Sequence, residues 1–182
     1  MYCLDSHGTD IDHFWPKEPF PGRMFLWPNL LLCCAECGRF KGDAFPLANG
    51  QPLLVDPTTE NPWDYLDFDP FTGNIVARFS SEQKEYSQKG TAMVEVLHLD
   101  RREALATGYQ RTFRRLARLV SDALAQTLPQ ADQLICSLRE ADDHGLLNWC
   151  FHGSGHREPP FRDLRDQQHG VWAQCLEAFQ EG

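Results

Sequence analysis

Cys34-Ala35-Glu36-Cys37 is the tightest local constraint in this chain of 182 residues. Two cysteines three positions apart bring their thiolates close enough to share one tetrahedral ion, and a complete structural zinc site wants four such ligands. Cys3, about thirty residues upstream, is a third candidate. The chain carries seven Cys, an odd number. No basic start followed by an apolar stretch and a cleavage site is visible, so no secretory signal is expected. Disulfide scaffolds are short, secreted and evenly paired, so reduced thiols with some on a metal are the better expectation. Cys33 points away from its neighbour and reads as a small core residue. The longest clean apolar run, residues 30–35, falls far short of the roughly 20 residues that span a bilayer. A soluble, cytoplasmic protein without a membrane partner is expected.

Asp12-His13 is the second chemical signal. One side chain can bind a hard cation while its neighbour points the other way, toward a water. That pairing suits metal-assisted phosphodiester hydrolysis, in which an imidazole takes a proton and a divalent ion stabilises charge on phosphate. Histidine suits this task because its unperturbed pKa, about 6.5, lies near neutrality.

Punctuation divides the chain. Residues 1–46 hold the early cysteines and many aromatics, with little helical periodicity. From 47 to 100, Pro52, Asp56-Pro57, Asn61-Pro62, Asp69-Pro70 and Thr72-Gly73-Asn74 mark turns. Thr72-Gly73-Asn74 predicts a hairpin leading into residues 75–79, and 93–99 reads as a further strand. Asp100 with Glu103 predicts a capping box. The helix it opens carries Leu105, Tyr109, Phe113, Leu116, Val120 and Leu124 on one face, with Pro129 as its stop. Arg111, Arg114, Arg115 and Arg118 share about a 100° arc opposite. They read either as a solvated face or as a stripe contacting phosphate or a partner. Two more helices are expected near 131–142 and 166–179. Cys150, His152 and His156 do not make a common complete metal site, and Gly153 and Gly155 make the segment between those helices read as a flexible loop. Trp63, Trp149 and Trp172 read as core anchors.

Several blocks together resemble a known family. They are Asp12-His13-Phe14-Trp15-Pro16-Lys17, Trp27-Pro28-Asn29-Leu30-Leu31-Leu32, Cys34-x-x-Cys37 and Lys41-Gly42-Asp43-x-Phe45-Pro46. These blocks look like HNH endonucleases, most of all the small HNH proteins of retron and Septu-type anti-phage systems. Leu54-Val55-Asp56-Pro57, Asn61-Pro62, the Gly73 turn and residues 96–101 extend the resemblance. It is specific over 3–57 and weak beyond about 120.

The resemblance implies an α+β fold. A zinc-stabilised ββα-metal core over 1–46 would be followed, over 47–182, by a small β-hairpin region and a mainly helical C-terminal part suited to docking a partner. It implies His13 as general base and Asp12 as ligand of a catalytic Mg²⁺ or Mn²⁺. Asn29 would fix the loop and the imidazole, and Lys41 would meet phosphate or support the helix. Cys3, Cys34 and Cys37 would hold a structural Zn²⁺. The implied activity is phosphodiester hydrolysis, of DNA before RNA, beside an ATPase encoded in the same defence operon. The alternative is a zinc-stabilised scaffold or nucleic-acid-binding module that has lost catalysis. Two departures bear on that choice. Gly38 stands where the family has a further metal ligand, with Asp43 or Asp10 as candidates to replace it. Met1-Tyr2-Cys3 reads as the end of a cut CxxC, so the natural start is expected upstream. With the present start, His7 is the candidate fourth ligand.

The formal net charge of -9 argues at first against nucleic acid. The acidity is unevenly spread, however. Residues 101–127 hold six basic against two acidic side chains. The expectation is weak DNA binding by the isolated chain, with salt-sensitive affinity supplied by a basic partner.

Overall fold

The computed structural model describes residues 2–3, 8–126 and 130–180. The fold is α+β, with short antiparallel strand pairs and a majority of helix. The chain forms two compact units, Met1–Leu66 with Ile75–Arg102, and Asp67–Asn74 with Glu103–Gly182. The first unit thus takes in residues 47–66 and 75–102 together with the expected 1–46 core.

The first unit opens with β1 (Asp10–His13) and β2 (Leu30–Cys33), paired antiparallel so that Ile11 faces Leu32 and Asp12 faces Leu31. Strand residues alternate between faces. Ile11 and Leu32 are exposed on one face, whereas Leu31 is buried on the other, beside Asp12. Helix α1 (Ala35–Lys41) follows directly and packs against β1. Cys34 is its N-cap, in extended backbone, with Sγ accepting the Cys37 N–H at 3.4 Å. Phe14, Trp15, Phe20 and Phe45 form an aromatic cluster, edge to face except for the tilted Trp15–Phe45 pair. Two small antiparallel pairs come next, β3 (Leu47–Ala48) with β4 (Gln51–Pro52), and, after β5 (Leu66–Phe68) and β6 (Ile75–Ala77), β7 (Phe79–Ser80) with β8 (Glu85–Tyr86).

Helix α2 (Gln88–Leu97) occupies most of the segment expected as a strand over 93–99. Ser87 caps it by accepting the Gly90 N–H at 3.1 Å. Gly90, Met93 and Leu97, spaced by three and four, form its buried face. The alternation seen from 93 onward was too short to reveal that period. Gly90 is required there, since a Cβ would come within 2.0 Å of the Tyr65 carbonyl oxygen.

Glu60 anchors α2 from outside. It accepts Lys89 Nζ and Tyr65 OH (2.7 Å), and the Asp56 N–H at 3.1 Å. Partial burial works against its charge, but Lys89 and the two hydrogen-bond donors outweigh it and hold the carboxyl below its ordinary 4.5. A depressed folded pKa contributes stability above the unfolded value and loses it as pH falls through the folded one. Glu60→Gln is therefore expected to flatten the acid side of the melting-temperature profile, measured from neutrality down through pH 4.5. Screening at this partly exposed pair limits the effect to on the order of 1 kcal/mol. An unchanged acid limb would refute it.

The second unit is helical. Its turn at Asp69–Asn74 forms as expected, with Asp69 accepting the Phe71 N–H and Thr72 Oγ1. Gly73 sits at φ +83°, where a Cβ would meet the Ala106 carbonyl at 2.3 Å. Helix α3 (Glu103–Leu124) buries Leu105, Tyr109, Thr112, Leu116 and Val120. It starts at Glu103 rather than at an Asp100 cap. Asp100 instead accepts Arg101 Nε at 3.1 Å, so the capping box is not made. Pro129, its expected stop, lies outside the described residues. Helix α4 (Ala131–Ala141) agrees with the expected 131–142.

Residues 143–165 are not the loop expected, because α5 (Leu146–Phe151) lies within them. The helix expected over 166–179 is two, α6 (Phe161–Gln167) and α7 (His169–Ala178). Phe68, Tyr109, Phe113, Trp149 and Phe161 form the aromatic core, and Asp67 accepts both Trp149 Nε1 (2.5 Å) and Ser154 Oγ (3.0 Å). Cys150 is buried, and His152 and His156 bond to the carbonyls of Leu176 and Gly153. Among the described residues no helix is long and apolar enough to cross a membrane.

Candidate metal centre and histidine site

The end of β2 and the first turn of α1 place Cys34 and Cys37 side by side, and the Tyr2–Cys3 turn brings in Cys3. The three sulfurs lie within 4.8 Å of one another, with Cys3 Sγ and Cys34 Sγ 3.7 Å apart. All three residues are buried. Thiolates about 2.3 Å from a shared tetrahedral Zn²⁺ would stand about 3.8 Å apart, so the spacing fits such an ion. The cluster could hold a metal ion such as zinc. His7 lies outside the described residues. The hydrogen bond with Cys3 and burial push the Cys37 thiol well above its ordinary range. Metal binding would therefore have to displace protons.

Cys33 stands outside this cluster. It faces Asp10 across the strands and is buried, and burial followed by the nearby Asp12 raises its thiol pKa. A Cβ at Gly38 would lie 3.3 Å from Cys33 Sγ. The sulfur thus borders the space that a side chain at position 38 would enter.

Asp12 and His13 project to opposite sides of β1. Asp12 Oδ2 accepts Tyr2 OH at 2.8 Å and lies 2.9 Å from Lys41 Nζ. Burial and the Asp12 carboxylate raise the Tyr2 pKa, which keeps the phenol a proton donor. Lys41 is only 1% exposed, and Nζ also donates to the His13 carbonyl at 2.8 Å. It ties α1 to β1. Removing its charge would leave the Asp12 carboxylate poorly compensated. Lys41→Met is expected to cost about 3–5 kcal/mol, the usual consequence of breaking a buried pair from one side. A urea unfolding midpoint matching that of the unaltered protein would count against the strut.

His13 Nε2 lies 2.9 Å from the Met24 carbonyl oxygen. A carbonyl only accepts, so Nε2 carries the proton and Nδ1 keeps its lone pair. Asn29 is buried; its Oδ1 accepts the Trp15 N–H at 2.7 Å, and Nδ2 donates to the Trp15 and Arg23 carbonyls at 3.1 Å each. It fastens the loop from 15 to 29, while the imidazole is held by Met24 rather than by Asn29.

Among the described residues the three cysteines are the one group of three or more His, Cys, Asp or Glu close enough to hold a single ion. In the second unit, Arg111 and Arg114 are exposed, and Arg118 lies 3.8 Å from Asp122. Arg115 is tied to Asp143 at 2.5 Å and to the Ala141 carbonyl. The stripe therefore does not present four equivalent cations.

Two functional neighbours were missed from sequence. Tyr2 gave no signal. Arg102 lies 65 residues beyond Cys37 and was lost in the helix it precedes; its Nη1 donates to Cys37 Sγ at 3.2 Å.

Comparison with known proteins gives one informative likeness. The chain is similar to the Septu protein PtuB of Bacillus thuringiensis, with 29% identity over 110 residues. That alignment covers 58% of this chain and 38% of the relative, so the chain spans well under half the relative's length. No family model matches, and no solved structure matches.

Proposed function

We propose that this chain is a divalent-metal-dependent endonuclease of the HNH type, acting on DNA within a Septu-type anti-phage defence system. The observation that carries the reading is the His13 imidazole. Its Nε2–H is committed to Met24, its Nδ1 lone pair is available as a base, and it lies on the opposite strand face from Asp12. Likeness to a Septu protein supports the defence setting.

The residues divide the work. His13 Nδ1 accepts a proton from the attacking water. Asn29, through Trp15 and Arg23, holds the loop that carries the Met24 carbonyl and so keeps the ring in register. Lys41 and Tyr2 orient Asp12 through Oδ2. A Mg²⁺ or Mn²⁺ on the Asp12 carboxylate would stabilise charge on the scissile phosphate and leaving oxygen. Mg²⁺ commonly binds through one or two carboxylates plus substrate phosphate and water, which suits a site with a single acidic side chain. Phe25 and Trp27, 87% and 82% exposed in the loop next to Met24, offer faces on which bases stack. The partner in this reading is an ATPase encoded in the same operon, which would supply the basic surface this acidic chain lacks.

One observation favours a second reading. The Lys41 ammonium already neutralises Asp12, and Gly38 contributes no ligand. Such a chain would be a catalytically silent, zinc-stabilised scaffold or nucleic-acid-binding module. Incubating the purified protein with DNA and with RNA, in Mg²⁺, in Mn²⁺ and in chelator, separates the two. Ion-dependent DNA cleavage is the expected result. Intact DNA in both ions, with the partner ATPase present, would leave the scaffold.

A further inference from the structure

We infer that Arg102 is the charge-compensating and positioning residue of the three-cysteine centre. The inference rests on the metal centre and is independent of nuclease activity. Arg102 is 7% exposed, and its guanidinium is divided between two kinds of acceptor. Nε and Nη2 grip Glu36 Oε2 at 3.0 and 2.5 Å. Nη1 lies 3.2 Å from Cys37 Sγ, and Nη2 lies 3.8 Å from Cys34 Sγ. The Phe40 ring lies 5.8 Å from the guanidinium carbon.

This arrangement is hard to explain without an anionic centre. A guanidinium stays protonated, so a buried Arg102 is a permanent charge that needs compensation. Glu36 supplies one carboxylate, but its side chain is 50% exposed at the rim. Nη1 faces sulfur alone. A protonated thiol is a weak acceptor, whereas a thiolate makes a charge-assisted bond. Three thiolates on a divalent ion carry one net negative charge, which the buried guanidinium would offset while sharing its charge with the half-exposed Glu36 carboxylate. Arginine has no lone pair to offer the ion, so it acts on the ligands and not as one of them. Its planar fork reaches two sulfurs and a carboxylate at once, which a lysine ammonium cannot do.

The test uses the full chain as wild type, Arg102→Gln, Arg102→Lys and Glu36→Gln. Zinc affinity is measured by competition with a chromophoric chelator, and the thiolate-to-metal charge-transfer band is recorded at saturating Co²⁺. Arg102→Gln is expected to weaken zinc binding about 10–100-fold, the usual effect of removing an outer-shell partner. It should also shift the cobalt band, because the hydrogen bond to Cys37 sulfur is gone. Arg102→Lys keeps the charge and should lose less. Glu36→Gln leaves every sulfur contact in place and should lose least, which keeps the test valid if Arg102→Gln folds poorly. Wild-type affinity in Arg102→Gln would overturn the assignment. So would weaker binding with an unshifted band, which would mean that Arg102 only props the fold. A wild-type chain that binds neither zinc nor cobalt would remove the centre and this inference with it.

Discussion

His13→Ala is expected to lose about 10²–10⁴-fold in the rate of ion-dependent DNA cleavage, the range that general-base catalysis contributes. The reason lies in how the ring is held. The Met24 carbonyl accepts the hydrogen bond of Nε2–H, which leaves Nδ1 as the ring nitrogen with a lone pair. Alanine removes that base and changes little in the core, because His13 is only half-buried and makes one side-chain hydrogen bond to the loop. The melting temperature should therefore stay close to wild type while activity falls, and a metal titration of the variant should not restore it. His13→Ala that cleaves DNA at the wild-type rate would remove the proposed base. Asn29→Ala would behave differently. It leaves the Trp15 amide and carbonyl without their side-chain partner and takes one of two hydrogen bonds from the Arg23 carbonyl, which keeps the Leu26 N–H, so activity and stability should fall together.

Cys37→Ser is expected to have the largest effect on the folded state. Structural zinc supplies about 10–16 kcal/mol of apparent binding energy in small zinc domains, and that energy is folding energy. Cys37 is completely buried in the middle of the centre, with Cys3, Cys34 and Arg102 all against it. A serine hydroxyl is a poor substitute for a thiolate toward a borderline-soft ion. The variant should retain little zinc on purification. Its near-ultraviolet circular dichroism should resemble that of the wild type treated with chelator. Cys33→Ala is the matched control: it also removes a buried thiol but should keep the metal, because Cys33 lies outside the cluster. Equal zinc content in Cys37→Ser and wild type would refute the centre.

Parts of this site could be read without coordinates. Positions 34 and 37 must come together once the chain turns into a helix after an extended residue, because the backbone period is set by covalent geometry. Asp12 and His13 must part once the segment is a strand, for the same reason. The stripe on α3 follows from six apolar residues recurring at helical spacing. Where sequence reading failed, a short pattern was ambiguous. Residues 93–99 alternate for too few positions, and the buried contacts of Gly90, Met93 and Leu97 decided for a helix. The Asp100–Glu103 pair had the letters of a capping box, but the Asp100 carboxylate went to the neighbouring Arg101.

Which residues can do chemistry, and how near neighbours are oriented, thus follow from residue type and the two backbone periods. The packing of the whole chain set their partners. It brought Cys3 to within 3.7 Å of Cys34, turned Lys41 from a candidate phosphate contact into the buried partner of Asp12, and set Arg102 against Cys37 across 65 positions. No local period encodes such distances. They depend on the path of the whole chain, and a buried charge settles wherever that path offers it a counter-charge.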